Sequence, residues 1–369
     1  MYNVTILGSG KIGSAIAKLL HHSGDYTVQV GDINEQSLQA LTAVVPVGTF
    51  VVDVSDEGAI AEKLQGQDCV ISACPYTVNA GIARAAAKAG VSYFDLTEDI
   101  ETTNAVRAIA ETAAEGLIFA PQCGLAPGFI GILASHLCKG FDKIDEVKMR
   151  VGALPQYPSN MMMYNLTWST RGLINEYCNP CEAIQNGRRT ETTPLAEIEH
   201  FSLDGSSYEC FNTSGGLGTL CETLDGKART LNYKTIRYPG HRDLMFFLTN
   251  EMRLGDQREL FEEIFEKAIP VTKQDVVITF CTVTGWKNGQ LEKASDARKI
   301  YPAELYDEKW SAIQLTTAAG MCTVVDMYLK GQIGHSGFLK QEQIDFDIFL
   351  RNRFGCFYDR HQGNALMVN

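Results

Sequence analysis

The 369-residue sequence has no run of about eighteen apolar residues, so nothing in it reads as a membrane-spanning helix. It also has no basic surplus. Its 32 Lys and Arg against 44 Asp and Glu give a formal charge of −12, which excludes the positive surface that nucleic acid or an anionic membrane requires. A cationic or zwitterionic small molecule remains compatible as partner. A disulfide framework is missing too: the eleven cysteines are an odd number scattered through a large chain, as reduced, buried thiols are. Cys178-Asn179-Pro180-Cys181 is the one C-x-x-C. With no second pair and no flanking histidine it reads as two packing thiols, so no metal site is expected. Internal repeats, low-complexity linkers and targeting signals are absent. Met1 leads directly into a strand and the chain ends on Leu366-Met367-Val368-Asn369, so the expectation is a soluble, cytoplasmic protein.

What is present is ordinary globular composition, 45% hydrophobic and 21% charged, in a chain long enough for two domains. The first thirty-two residues organise it. An apolar run, Val4 to Leu7, meets Gly8-Ser9-Gly10-Lys11-Ile12-Gly13 and then an apolar-periodic stretch, Ile16 to Leu20. A second run, Tyr26 to Val30, ends at Gly31-Asp32. Strand, glycine turn, helix, strand and terminal acid form the dinucleotide-binding fingerprint. Gly8 makes the tight turn, Gly10 lets the backbone approach a pyrophosphate, and Gly13 lets the helix sit close on the strand. The pyrophosphate would rest on the free N–H groups of the helix N-terminus. Asp32 selects NAD, because a carboxylate accepts both ribose hydroxyls but repels a 2′-phosphate.

The strand–helix alternation continues. Helices are predicted over Gln36 to Val44, Gly58 to Leu64, Asn79 to Ala89 and Ile100 to Glu115, and strands over Thr49 to Ser55, Asp68 to Cys74, Val91 to Leu96 and Leu117 to Pro121. This is a doubly wound α/β domain with a parallel sheet, residues 1–123. Asp53 and Val54 lie where the third strand would reach an adenine, and Asp53 or Ser55 could equally cap the next helix. Cys74-Pro75-Tyr76 ends the fourth strand on the edge where ligands collect. After the loop Cys123 to Gly128 and a helix, Phe129 to Cys138, the texture changes. Longer alternating segments (Glu146 to Val151, Thr230 to Arg237, Asp275 to Thr284, Gly289 to Ala294) and hairpin turns such as Lys287-Asn288-Gly289 predict a mostly antiparallel sheet. Helices over Arg242 to Met252 and Gln257 to Lys267 complete an α+β substrate domain, residues 124–310. Ala312 to Leu329 reads as a buried helix returning to the first domain with residues 311–369, and Gln341 to Arg351 as one further helix.

Three places could carry chemistry. Arg171, in Thr167-Trp168-Ser169-Thr170-Arg171-Gly172, suits bidentate capture of a carboxylate, or else an interdomain salt bridge. His241, in Arg237-Tyr238-Pro239-Gly240-His241, could be a general acid or base, or a structural helix-starting histidine. Glu98 and Asp99 follow the fifth strand and could serve as acid or base, or cap the next helix.

These blocks carry a resemblance. The sequence resembles the saccharopine dehydrogenase family, and within it looks most like lysine 6-dehydrogenases. The likeness spans Met1 to about Leu329 through the glycine turn, Cys74-Pro75-Tyr76, the Gly124 to Gly128 loop, Gly152-Ala153-Leu154-Pro155, Trp168 to Gly172 with Asn175-Glu176-Tyr177, and Arg237 to His241. The resemblance implies a discontinuous dinucleotide domain, a mixed-sheet domain that also forms a homodimer, and hydride transfer between nicotinamide and a carbon bearing nitrogen. It places Gly8, Gly10, Lys11, Ile12 and Gly13 at the pyrophosphate, and Tyr76 and Arg171 in the amino-acid pocket. Two departures stand out: Gln122 replaces the acid expected before the Cys-Gly pair, and Asp32 replaces the Arg that the NADP-dependent glutamate-forming branch tends to carry. The reading is NAD-dependent oxidative deamination of L-lysine at its side-chain amine, with saccharopine chemistry or a non-catalytic NAD sensor as alternatives.

Overall fold

The computed structural model describes residues 1–334 and 336–359; the chain end at Leu366 to Asn369 lies outside them. Within the described chain two compact units separate, Met1–Phe129 with Thr317–Phe357, and Ile130–Thr316 with Tyr358.

In the first unit, apolar strands too short and too hydrophobic to face water alternate with amphipathic helices. The strands are β1 (Tyr2–Leu7), β2 (Tyr26–Asp32), β3 (Gly48–Val51), β4 (Cys69–Ser72), β5 (Ser92–Asp95) and β6 (Ile118–Ala120). Between them run α1 (Lys11–His22), α2 (Glu35–Thr42), α3 (Glu57–Lys63), α4 (Tyr76–Ala89) and α5 (Ile100–Thr112); α6 (Phe129–Cys138) follows β6 and from Ile130 onward belongs to the second unit. Val4, Ile6, Val30, Val70, Ile71 and Phe94 are shut off from solvent, as strands covered on both faces must be. With a short C-terminal strand at Gly337–Phe338, the seven strands pair in parallel, and β1 lies between β2 and β4. The strand order therefore reverses at β1, opening a crevice at the carboxyl edge, the usual ligand position in such sheets.

The second unit is built on an eight-stranded mixed sheet. Its strands are β7 (Lys143–Pro155), β8 (Cys181–Gln185), β9 (Arg188–Thr192), β10 (Glu199–Leu203), β11 (Ser206–Asn212), β12 (Thr230–Arg237), β13 (Asp275–Lys287) and β14 (Gln290–Ile300). Only β12 and β7 pair in parallel; every other pairing is antiparallel. The helices are α7 (Thr170–Cys178), the one-turn α8 (Leu220–Thr223), α9 (His241–Phe246) and α10 (Arg258–Ala268); α11 (Ala312–Leu329) starts in this unit and from Thr317 onward belongs to the first. Leu173, Tyr177, Met245, Phe261 and Phe265 of these helices pack with Phe211 of β11 in one core. The strands β15 (Ala303–Leu305) and β16 (Glu308–Trp310) form a small hairpin, the C-terminal strand is β17, and α12 (Phe346–Arg351) ends the helices.

Several boundaries correct the sequence reading. The helix expected from Asn79 starts at Tyr76, because Pro75 supplies the N-cap conformation and has no N–H to lose. Neither Asp53 nor Ser55 caps α3; Asp56 does, accepting from Gly58 N at 2.9 Å and Ala59 N at 3.0 Å. The helix expected over Arg242 to Met252 gives way after Phe246 to a wider π turn, Phe247–Glu251. That expected over Gln341 to Arg351 is a single turn, Gln341–Gln343, followed by α12 from its own cap, Asp345.

Candidate functional site

The glycine turn after β1 shows a distinct constraint at each glycine. Gly8 sits at φ +98°, and a Cβ there would lie 2.9 Å from the Ala73 carbonyl oxygen. A Cβ on Gly13 would lie 1.9 Å from the Gly8 carbonyl oxygen, so only glycine lets α1 approach so closely. A Cβ on Gly10 would meet nothing within 4 Å. Gly10 is also the N-cap of α1 and gives the helix no side-chain acceptor. Open space in front of uncapped amides fits a pyrophosphate. Lys11 and Ile12 open the helix, Lys11 exposed and Ile12 half-buried.

Asp32 closes β2 beside this turn. Its Oδ2 accepts the Ser9 N–H at 2.6 Å and the Ser9 hydroxyl at 2.7 Å, and its Oδ1 accepts the Asn34 N–H at 2.8 Å. Partial burial raises its pKa, but these donors outweigh that and hold it below the usual carboxylate range. The group is ionised at neutral pH. Asp53, past the end of β3, is exposed and turned onto Ser55, accepting its N–H at 2.9 Å and hydroxyl at 2.7 Å. Val54 packs against the core of this unit. Cys74 is half-buried after β4, and burial pushes its thiol up to about 11, so it is no nucleophile. Pro75 caps α4, and Tyr76, its first residue, is half-buried.

The loop after β5 sorts the carboxylates. Asp99 is the N-cap of α5, accepting from Thr102 N at 2.7 Å, so its capping role is the one realised. Glu98 is half-buried, and its carboxylate accepts its own backbone N–H. Burial, and the charges of Asp99 and Asp95, raise its pKa. Asp95 was passed over in the sequence as strand interior. It is fully buried, and burial lifts its carboxyl to about 6 despite hydrogen bonds from Tyr93 Oη (2.7 Å), Thr97 N (2.8 Å) and Gln122 N (3.2 Å). The signal that could have found it is the one used for Asp32, an acid ending an apolar strand. Gln122 takes the left-handed conformation at φ +66° and bonds Thr103 through its side chain at 3.1 Å.

In the second unit, Arg171 is exposed in the first turn of α7 and forms no ion pair or hydrogen bond among the described residues. A cation there opposes the helix dipole, so it gains nothing from its own helix. His241 is the clearest correction. It is completely buried, with Nδ1 2.8 Å from the Met162 carbonyl oxygen and Nε2 3.0 Å from Tyr177 Oη. A carbonyl can only accept, so Nδ1 carries the proton and Nε2 accepts from Tyr177. Burial, with Arg237 beside it, lowers its pKa to about 3. A neutral imidazole with both nitrogens engaged and no access to solvent is a core residue, not an acid or base. Cys178 and Cys181 are free thiols, and among the described residues no three His, Cys, Asp or Glu side chains are placed to hold a metal. No helix of the described residues is long and apolar enough to cross a membrane.

Comparison with known proteins places the two halves of the chain in one family. Residues 4–120 match the saccharopine dehydrogenase NADP binding domain, and residues 124–351 match the saccharopine dehydrogenase C-terminal domain. The chain is 24% identical over 321 residues to the saccharopine dehydrogenase [NADP(+), L-glutamate-forming] of Saccharomyces cerevisiae, covering 78% of this chain and 69% of that one. To the mitochondrial alpha-aminoadipic semialdehyde synthase of Rattus norvegicus it is 22% identical, covering 80% of this chain but 32% of the relative. The solved apo saccharopine dehydrogenase (L-Glu forming) of Saccharomyces cerevisiae superposes with a TM-score of 0.79 over 96% of this chain and 98% of its own, at 18% identity. Both halves of the sequence thus match one group of oxidoreductases, and the chain belongs to the saccharopine dehydrogenase family.

Proposed function

We propose that the protein is an NAD-dependent amino-acid dehydrogenase that deaminates L-lysine oxidatively at its side-chain amine. The observation that carries the reading is the Asp32 carboxylate, ionised and turned by Ser9 and Asn34 at the end of β2. The family's nucleotide domain and the relatives above are named for NADP, but an ionised carboxylate here favours ribose hydroxyls over a 2′-phosphate. Gly8, Gly10, Lys11, Ile12 and Gly13 would hold the pyrophosphate, Asp32 the adenosine ribose, Asp53 and Val54 the adenine, and Cys74 and Pro75 would border the cofactor. Bound NAD supplies a hydride acceptor.

The chain's own residues supply the rest. Arg171, with no partner of its own, takes the α-carboxylate by two parallel bonds and fixes which carbon presents its hydrogen. Tyr76 lines the reacting end. Glu98 is the acid/base group: as carboxylate it removes a proton from the ammonium, and the amine then releases hydride from its carbon to give an imine. Hydride loss leaves that imine protonated. Once Glu98 has passed the first proton to solvent it takes one from the water that adds to the carbon and returns it to the nitrogen, so that ammonia leaves and carries away the hydroxyl proton as ammonium. Lysine, NAD and water thus yield the semialdehyde, ammonium, reduced cofactor and a proton. The semialdehyde cyclises. The proposal includes a cytoplasmic homodimer formed through residues 124–310, with the nucleotide domain made of 1–123 and 311–369.

A second reading is favoured by the relatives' names: cleavage of the secondary amine of saccharopine. One measurement decides, the absorbance of reduced cofactor with lysine, with saccharopine and with neither. Turnover of lysine alone supports the proposal. Turnover of saccharopine alone replaces it, and none with either amine favours a non-catalytic NAD-binding protein.

A further inference from the structure

We propose that Asp95 is a positioning residue that locks the Glu98 loop to the Gln122–Gly128 loop, so that the acid/base carboxylate is presented from a rigid base. The inference rests on the functional reading above for its kinetic consequence, but not for its geometry. Asp95 ends β5 and is wholly buried. Its Oδ1 accepts the N–H of Thr97 on one side, at 2.8 Å, and of Gln122 on the other, at 3.2 Å. Its main-chain oxygen accepts the Cys123 N–H at 2.9 Å, and Tyr93 Oη donates to Oδ2 at 2.7 Å. One residue therefore satisfies amides from two loops that are far apart in sequence.

Each loop is then stiffened internally. From Thr97 the chain of bonds passes to Asp99, whose N–H meets Thr97 Oγ1 at 3.1 Å, and from Asp99 to Thr102 N at 2.7 Å. Glu98 lies within this braced turn, its carboxylate bonded to its own N–H. On the other side, Gly128 packs so tightly that a Cβ there would lie 2.1 Å from the Gly124 oxygen and 2.8 Å from the Gln122 oxygen. Gln122 is held at φ +66°, a strained conformation for a side-chain-bearing residue, which persists only where its surroundings fix it. Removing the Asp95 carboxylate strands two buried N–H groups, one in the loop carrying Glu98 and one at Gln122.

The test compares Asp95→Asn, whose amide oxygen still accepts both N–H groups, with Asp95→Ala, which accepts neither; Asp95→Ser replaces the latter if it does not fold. Amide hydrogen exchange is measured on the full-length protein, with kcat, the amino-acid KM and NAD affinity. The expectation is loss of protection at both Thr97 and Gln122–Cys123 in Asp95→Ala, with near-normal protection in Asp95→Asn. The kinetic expectation is a fall in kcat of about a hundredfold in Asp95→Ala, from a displaced acid/base group, with NAD affinity kept and Asp95→Asn largely rescued. Loss of protection in one loop only, or in neither, overturns the linkage. Loss in both with unchanged kcat overturns the positioning role. If the wild type turns over neither lysine nor saccharopine, the functional reading fails separately, and exchange alone then decides whether Asp95 joins the loops.

Discussion

Ser9 gives both its backbone N–H and its hydroxyl to a single oxygen of Asp32, at 2.6 and 2.7 Å. This bifurcated contact keeps the carboxylate charged and fixes its direction beside the open face of Gly10. A 2′-phosphate brought near it would meet a like charge, costing about 4 kcal/mol at 4 Å in a surface-like dielectric. We expect kcat/KM with NAD to exceed that with NADP by about a hundredfold or more, and Asp32→Ser to narrow the ratio. Steady-state kinetics with both cofactors check this. A preference for NADP in the wild type would remove Asp32 from the ribose.

Glu98→Gln tests the acid/base group. The carboxylate must be ionised to take the ammonium proton, so kcat/KM should rise with pH through its elevated pKa and level off above it. In the amide variant that acidic limb should vanish and kcat should drop by about 10²-fold or more, with the fold retained because no other residue depends on this side chain. A persistent acidic limb would assign the ionisation elsewhere.

Much of this was legible in the sequence because its cause is local. Gly8, Gly10, Gly13 and Asp32 are recognisable since spacing alone sets their geometry. The hairpins β8–β9 and β10–β11 carry a local signal as well: Asn186-Gly187 and Asp204-Gly205 have the same positive φ pairs as Asn288-Gly289. The long-range relationships were not legible. Asp95 meets Gln122 across twenty-seven positions, and Tyr177 meets His241 across sixty-four, so neither a buried carboxyl near 6 nor a neutral core histidine has a signature in its own neighbourhood.

The sheet of the second unit holds a carboxylate that should govern acid stability. Glu199 receives Arg150 at 2.8 Å and Lys234 at 2.9 Å, both nearly buried. Burial opposes its charge, but those two cations win and bring its pKa to about 2. A depressed carboxylate stabilises the fold at pH values above its unfolded pKa and loses that contribution as pH falls through its folded one. Glu199→Gln should therefore cost about 3 kcal/mol at pH 7 by leaving Arg150 with Thr282 and Lys234 with Glu197 in place of this charge, and the gap should shrink from about pH 4.5 downward. Urea unfolding across that range measures it, and a constant difference would contradict the ion-pair account.

His241→Ala should behave as a core mutation. It leaves the Met162 oxygen without the imidazole donor and Tyr177 with its bond from Arg237 Nε but no acceptor for its own proton, and it opens a cavity, which together cost about 3 kcal/mol in stability. Because the imidazole is neutral throughout the working range, the pH profile of kcat/KM in the folded variant should keep its shape. A shifted limb with unchanged melting temperature would restore His241 as a proton carrier.

Arg171 makes the sharpest separation between a structural and a functional role. It is exposed, it forms no ion pair among the described residues, and its position in the first turn of α7 sets its charge against the helix dipole. The structure thus gives it no stabilising task to lose, and Arg171→Lys, a swap between residues of similar helix propensity, should leave stability within about 0.5 kcal/mol. The guanidinium can make two parallel bonds to a carboxylate where an ammonium offers a point charge. Charge-assisted hydrogen bonds are worth about 1.5 to 3 kcal/mol each, and loss of a fixed orientation adds to that. We expect kcat/KM for the amino acid to fall by about 2 kcal/mol or more, or at least about thirtyfold. NAD affinity should stay unchanged, because the glycine turn and Asp32 belong to the first unit and Arg171 to the second. Melting temperature, NAD titration and substrate kinetics on the one variant decide the matter. A less stable protein with intact kcat/KM would return Arg171 to a structural role, and unchanged values in all three would leave the carboxylate to another cation.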